Sequence, residues 1–230
     1  MEFFGGMTDL IQQFHTAAER SGTDVGSLFE RVVQTAYLDI LKPGNTAIDV
    51  GAHQGYHMFP MAEVVGRAGR IYAFEPIPAL HNALASEVKK RHLKQVRLHN
   101  YALSNAPGIS NFTYFANMPA YSGLQQRETP FGDEEGGKQD ITVECSMLDR
   151  HLPWFRKVSF VKMDIEGGEY HALLGAERLL KKSRPVVIFE HGQNQSAVDY
   201  NYTADEFFDL FERHDMEIFI LSGEPYGRDK

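Results

Sequence analysis

The sequence predicts a doubly wound α/β fold on a mostly parallel sheet, and three observations carry that prediction. Short apolar runs without polar alternation recur from Thr46 onward, the pattern of strands buried on both faces. Stretches with helical spacing separate them, giving the β-α rhythm of a parallel sheet covered on both sides. The turn Asp49-Val50-Gly51-Ala52-His53-Gln54-Gly55 leads straight from the first run into a helical stretch. In doubly wound sheets that first turn is where a nucleotide-like ligand sits.

Leu10, Ile11, Phe14 and Ala18, then Leu28, Val32, Ala36 and Ile40, fall at helical spacing and predict two N-terminal helices. Ser21-Gly22-Thr23-Asp24 separates the two, and Lys42-Pro43-Gly44-Asn45 ends the second. Residues 1–45 therefore read as an N-terminal helical segment and residues 46–230 as one α/β domain. The expected strands are Thr46–Val50, Arg70–Phe74, Gln95–Asn100, Val158–Met163 and Pro185–Glu190, with a last one at Met216–Leu221. The expected helices are Tyr56–Val65, Ala79–Arg91, Glu169–Lys182 and Thr203–His214. Ile109–Phe115 and Ile141–Met147 read as an inserted hairpin around a polar loop, Asn117–Asp140. A loop of that length inside a domain is a functional lid or a disordered segment.

Composition narrows the function classes. The 230 residues suit a single α/β domain with a sizeable core. A formal charge of -8 argues against nucleic acid or an anionic membrane as a partner of the whole chain, while a local basic patch is not excluded. Cys145 is the single cysteine, so neither an intrachain disulfide nor a cysteine metal cluster is expected, which suits a reducing cytoplasm. Met1–Gly6 shows no signal-peptide pattern, and the apolar runs are too short to span a bilayer. A soluble cytoplasmic protein is expected, with a homo-oligomer left open.

Five segments carry candidate chemistry. Gly51 and Gly55 allow a sharp turn and close backbone approach to a ligand. Their G-x-x-x-G spacing differs from the G-x-G-x-x-G of dinucleotide sites. In Phe74-Glu75-Pro76, a carboxylate at a strand tip can accept both hydroxyls of a ribose; alone, such a glutamate is more often a solvated cap. Asn100-Tyr101-Ala102-Leu103-Ser104 stands where an adenine edge would lie, or is a plain strand exit. Lys162-Met163-Asp164-Ile165-Glu166-Gly167-Gly168-Glu169 clusters three carboxylates at a strand end. Such acids hold a cation, bind a hydroxyl or act as base, whereas Glu169 can simply complement a helix dipole. Phe189-Glu190-His191-Gly192 adds a histidine at the next strand end.

Together these segments resemble the FkbM family of S-adenosylmethionine-dependent methyltransferases, in the family's order and spacing from Thr46 to Leu221. The resemblance implies a Rossmann-like sheet, S-adenosylmethionine as cofactor, and methyl transfer to a hydroxyl of a sugar, polyketide or other secondary metabolite. Carried over by position, Asp49, Gly51, Ala52, His53 and Gly55 shape the cofactor turn. Glu75 with Pro76 holds the ribose, Ala102 borders the adenine, and Asp164, Glu166 and His191 face the methyl group and acceptor, with Asp164 also counted among the cofactor-binding residues. Two departures stand out: His53 replaces the family's asparagine, and no apolar run supplies a final antiparallel strand.

The sulfonium makes the methyl group electrophilic, so the protein must position the acceptor and take its proton. His191 ranks first as base because imidazole titrates near neutrality, with Asp164 and Glu166 beside it. A divalent metal such as magnesium on these two carboxylates is an open alternative. Two competing readings are a nicotinamide-dependent oxidoreductase and a non-catalytic scaffold that keeps the cofactor pocket.

Overall fold

The computed structural model describes residues 25–117, 122–124, 136–190, 197–220 and 223–228. Helix α1 (Val25–Ile40) leads into β1 (Thr46–Val50), α2 (Met58–Val65), β2 (Arg70–Phe74), α3 (Pro78–Lys90) and β3 (Val96–His99). Three strands follow, β4 (Ala102–Leu103), β5 (Gly108–Phe115) and β6 (Lys138–Ser146). The chain continues through α4 (Leu148–His151), β7 (Phe160–Met163), α5 (Glu169–Leu174), α6 (Glu177–Ser183), β8 (Val186–Phe189) and α7 (Ala204–Glu212).

The main sheet has the order β3-β2-β1-β7-β8, and every pair in it is parallel. β1 is its centre: Ala47 pairs with Ile71 on one side and Phe160 on the other. The strand order reverses between β1 and β7, which opens a crevice at the C-terminal ends of the strands. Alternation along β1 sends Ile48 and Val50 into a core with Phe74, Met163, Leu173 and Phe207. Ala47 enters a second core with Ile71, Phe160, Met61 and Leu84. Tyr37 and Leu41 share that second core, so the end of α1 packs on the sheet. β5 and β6 form an antiparallel hairpin from Gly108↔Cys145 to Phe115↔Lys138, with β4 parallel to β6.

Four readings need correction or placing. The helix expected over Glu169–Lys182 is two helices that break at Gly175, where a Cβ would lie 2.2 Å from the Ser104 carbonyl oxygen. The strand expected at Met216–Leu221 joins no ladder among the described residues. Phe219 makes only an isolated antiparallel bridge to Pro225, because a chain turning back on itself pairs locally instead of with β8. The first predicted helix, with Leu10 and Phe14, lies outside the described residues. So does most of the Asn117–Asp140 loop, of which Asn117 and residues 122–124 and 136–140 are described. Among the described residues no helix is long and apolar enough to cross a membrane.

Candidate active site

A cavity of about 190 Å³ opens at the C-terminal ends of β1, β2 and β7. Its floor is the turn after β1. Gly51 sits at φ 77°, and a Cβ there would lie 2.0 Å from the Asp164 carbonyl oxygen. Only glycine lets the turn nest against β7. The N–H groups of Gly51 and Ala52 both reach the Phe74 carbonyl at 3.0 Å, tying the turn to β2. His53 is left-handed at φ 47°, a region where histidine and asparagine are both enriched. That shared tolerance accounts for histidine at this position, and burial lowers the pKa of its imidazole, keeping the ring neutral.

Glu75 is buried at the tip of β2, with 3% of its surface exposed. Its Oε2 accepts from the His53 N–H at 2.8 Å and its Oε1 from the Ile77 N–H at 2.9 Å. The carboxylate thus braces both flanking loops and still has lone pairs for a ligand. Burial pushes its pKa up to about 7 against those two donors. Asn100 fixes the same corner through Nδ2, which donates to the carbonyls of Glu75 and Pro76 at 2.7 and 2.9 Å. Ile77, Tyr101, Ala102, Leu103 and Phe112 give this end an apolar wall. Ser122 and Leu124, from the loop inside the hairpin, complete it.

The opposite end is ionic. Lys162 is buried in β7, and its Nζ lies 3.2 Å from Asp164 Oδ2 and 3.5 Å from the Gly51 carbonyl. Burial works against its ammonium, but Asp49 and Asp164 outweigh burial and raise its pKa. Burial likewise raises Asp164, yet the Lys162 charge and hydrogen bonds from Glu190 and Lys162 bring its pKa below the ordinary value. Asp164, Glu166 and Glu190 each offer a carboxylate oxygen, all within 4.8 Å of one another. Hard oxygen donors of this kind suit magnesium or manganese. From α1, Glu30 reaches the cavity and pairs with buried His57. The hydrogen bond from His57 lowers the Glu30 pKa against partial burial.

Of the residues singled out in the sequence, Gly51, Ala52, His53, Glu75, Pro76, Ala102, Asp164 and Glu166 line this cavity. Asp49 does not. It is buried beneath the turn with neither oxygen hydrogen-bonded among the described residues, and burial raises its pKa against the pull of Lys162. Gly55 also stands off the wall, packed closely against Phe59 and Leu84. Glu169 is buried, and its Oε1 accepts from the Ile165 N–H at 2.8 Å. His191 lies outside the described residues. Sequence reasoning assigned no role to Lys162, Glu30, Tyr56 or His57, all of which line the cavity. A lysine inside an otherwise apolar parallel strand was a usable signal for the first; nothing local marks Glu30.

A family model described as "Methyltransferase FkbM domain" matches residues 49–219. The chain is 26% identical over 213 residues to "AMB antimetabolite synthetase AmbE" of Pseudomonas aeruginosa, covering 79% of this chain and 10% of that protein. It is 26% identical over 155 residues to "Methyltransferase sdnD" of Sordaria araneosa, covering 56% of this chain and 60% of that one. The chain therefore spans less than two thirds of either relative's length. Among solved structures, a methyltransferase FkbM from Methylobacillus flagellatus KT aligns with 17% identity and a TM-score of 0.49, over 87% of this chain and 52% of that one.

Proposed function

The chain belongs to the FkbM methyltransferase family, and from that premise we propose that it is an S-adenosylmethionine-dependent O-methyltransferase acting on a small-molecule hydroxyl. The observation that carries the proposal is Glu75, a buried strand-tip carboxylate held by two backbone N–H groups beside the glycine turn. An adenosine ribose would match its remaining lone pairs, Ile77, Ala102 and Leu103 would hold the base, and His53 and Lys162 would hold the amino-acid end of the cofactor. The bound cofactor supplies an electrophilic methyl group.

What the chain adds is position and proton handling. Asp164 and Glu166 line the ionic end of the cavity, where they orient an acceptor hydroxyl and accept its proton. A cation on Asp164, Glu166 and Glu190 would lower the acceptor's pKa, and chelation tests that role. The antimetabolite synthetase among the relatives supports a secondary metabolite as acceptor, and the lone thiol of Cys145 supports a cytoplasmic setting.

Isothermal titration tests the assignment. S-adenosylmethionine and its demethylated product should bind, and nicotinamide nucleotides should not. No heat from either sulfur cofactor would sink the proposal. A radiolabelled-methyl screen of hydroxylated metabolites then identifies the acceptor, and product lability to base separates ethers from esters.

A further inference from the structure

Seven of the chain's cations fall in two short segments that contain no Asp or Glu. Residues 150–157 hold Arg150, Arg156 and Lys157, and residues 178–184 hold Arg178, Lys181, Lys182 and Arg184. Removing these seven from the chain's 23 Lys and Arg leaves 16 against 31 Asp and Glu. The fold joins the two segments on one face. Arg178 Nη2 donates to the Leu152 carbonyl at 2.9 Å, and the Val158 N–H to Ser183 Oγ at 3.1 Å. Lys182 donates to the Trp154 carbonyl and stands 5.0 Å from the centre of its ring.

On this face Trp154 is 73% exposed and Phe155 63% exposed. They are the central pair of a turn closed by the Arg156 N–H on the Pro153 carbonyl at 3.0 Å. Their rings meet edge to face at 5.9 Å. Asp149 takes Arg178 and Asp215 takes Arg184, but Arg150, Lys157, Lys181 and Lys182 have no carboxylate partner among the described residues.

We propose that this face docks the protein on an anionic lipid surface. Trp154 and Phe155 enter the headgroup layer, and Arg150, Lys157, Lys181 and Lys182 draw anionic headgroups around them. The aromatic pair projects from a turn tip and is not among the residues that line the cavity described above. A yielding headgroup layer can wrap such a tip, whereas a folded partner would need a matching pocket. Tryptophan favours that interfacial depth, and the lysine stems reach along it with their charge in water. The acidity of the whole chain, which argued against a membrane, averages over this face; the remaining surface is repelled, so docking has one orientation. The segments precede β7 and β8 at the N-terminal ends of the strands, so the cavity at the C-terminal ends stays open to solvent.

Trp154 is the chain's single tryptophan, so its emission reports the docking directly. Vesicles of phosphatidylcholine mixed with phosphatidylserine should sediment the protein and shift its emission to the blue, and phosphatidylcholine alone should do neither. Lys157→Ala and Lys181→Ala should each lower the partition about fivefold, and Phe155→Ser should lower it at low salt, with cofactor binding retained in all three. Sedimentation with unshifted emission, or partition indifferent to these substitutions, would overturn the proposal. So would an emission shift with soluble polyglutamate and none with vesicles, which would mark an acidic protein as the partner.

Discussion

Glu75 joins the structural and the chemical account at a single carboxylate. With the pKa pushed up to about 7 by burial, the group is partly protonated at neutral pH in the unliganded protein. Ribose hydroxyls donate to the ionised form, so cofactor binding should release a proton below and around pH 7. Affinity should then rise with pH through that window and level off above it. Titration calorimetry in buffers of different ionisation heat measures both, and a flat profile would move the ribose elsewhere. Glu75→Ala should weaken binding about ten- to a hundredfold, the loss of a charged hydrogen-bond partner. Asp164→Asn and Glu166→Gln test a different step. Turnover should fall about 10²-fold or more while cofactor affinity stays near wild type, and full turnover in both would remove them from the chemistry.

At the scale of elements, the break between α5 and α6 lets the chain pack against the backbone at Ser104. Helix propensity alone favours Gly175→Ala by about 1 kcal/mol. The Ser104 carbonyl opposes it, because the new Cβ would lie 2.2 Å away. Sterics at a backbone atom should win, for an overall loss of about 1–3 kcal/mol in urea denaturation; a stabilised variant would show that the two segments can slide apart. Gly51→Ala should cost more, since a 2.0 Å clash adds to a left-handed backbone at φ 77°. At α7 local and tertiary signals agree. Thr203 Oγ1 accepts from the Glu206 N–H and Glu206 Oε2 from the Thr203 N–H, a capping box legible from residue types and spacing alone.

For the whole molecule, burial leaves a pH signature. The Glu169 carboxyl is raised from 4.5 to about 7, burial outweighing the Ile165 N–H. Between those values the folded chain binds more protons than the unfolded one, so this group's contribution to stability falls as pH rises. It levels off above about 7. Glu169→Gln should lack that fall, and denaturation of both proteins at several pH values measures the difference; parallel profiles would put the carboxyl in water. Ligand linkage acts on the same equilibrium. At about a hundred times Kd the demethylated cofactor should add about 2.7 kcal/mol, raising Tm by roughly 5–10 °C.

The doubly wound sheet, the order of its strands' chemistry and the turn after β1 were legible in the sequence by itself. Each is written locally, as unalternating apolar runs, helical spacing and glycines at a strand end. Glu75, Gly51 and Asp164 were legible because a parallel sheet brings the C-terminal ends of its strands to one edge. The tertiary structure alone decided what depends on packing between distant segments. It put Asp49 under the turn and not on the cavity wall, brought Glu30 of α1 to His57, and broke a continuous helical pattern at Gly175 against Ser104. It also gathered two basic segments around Trp154. Side-chain burial and opposing contacts are set by the sum of the neighbours, and no spacing within one segment records who those neighbours are.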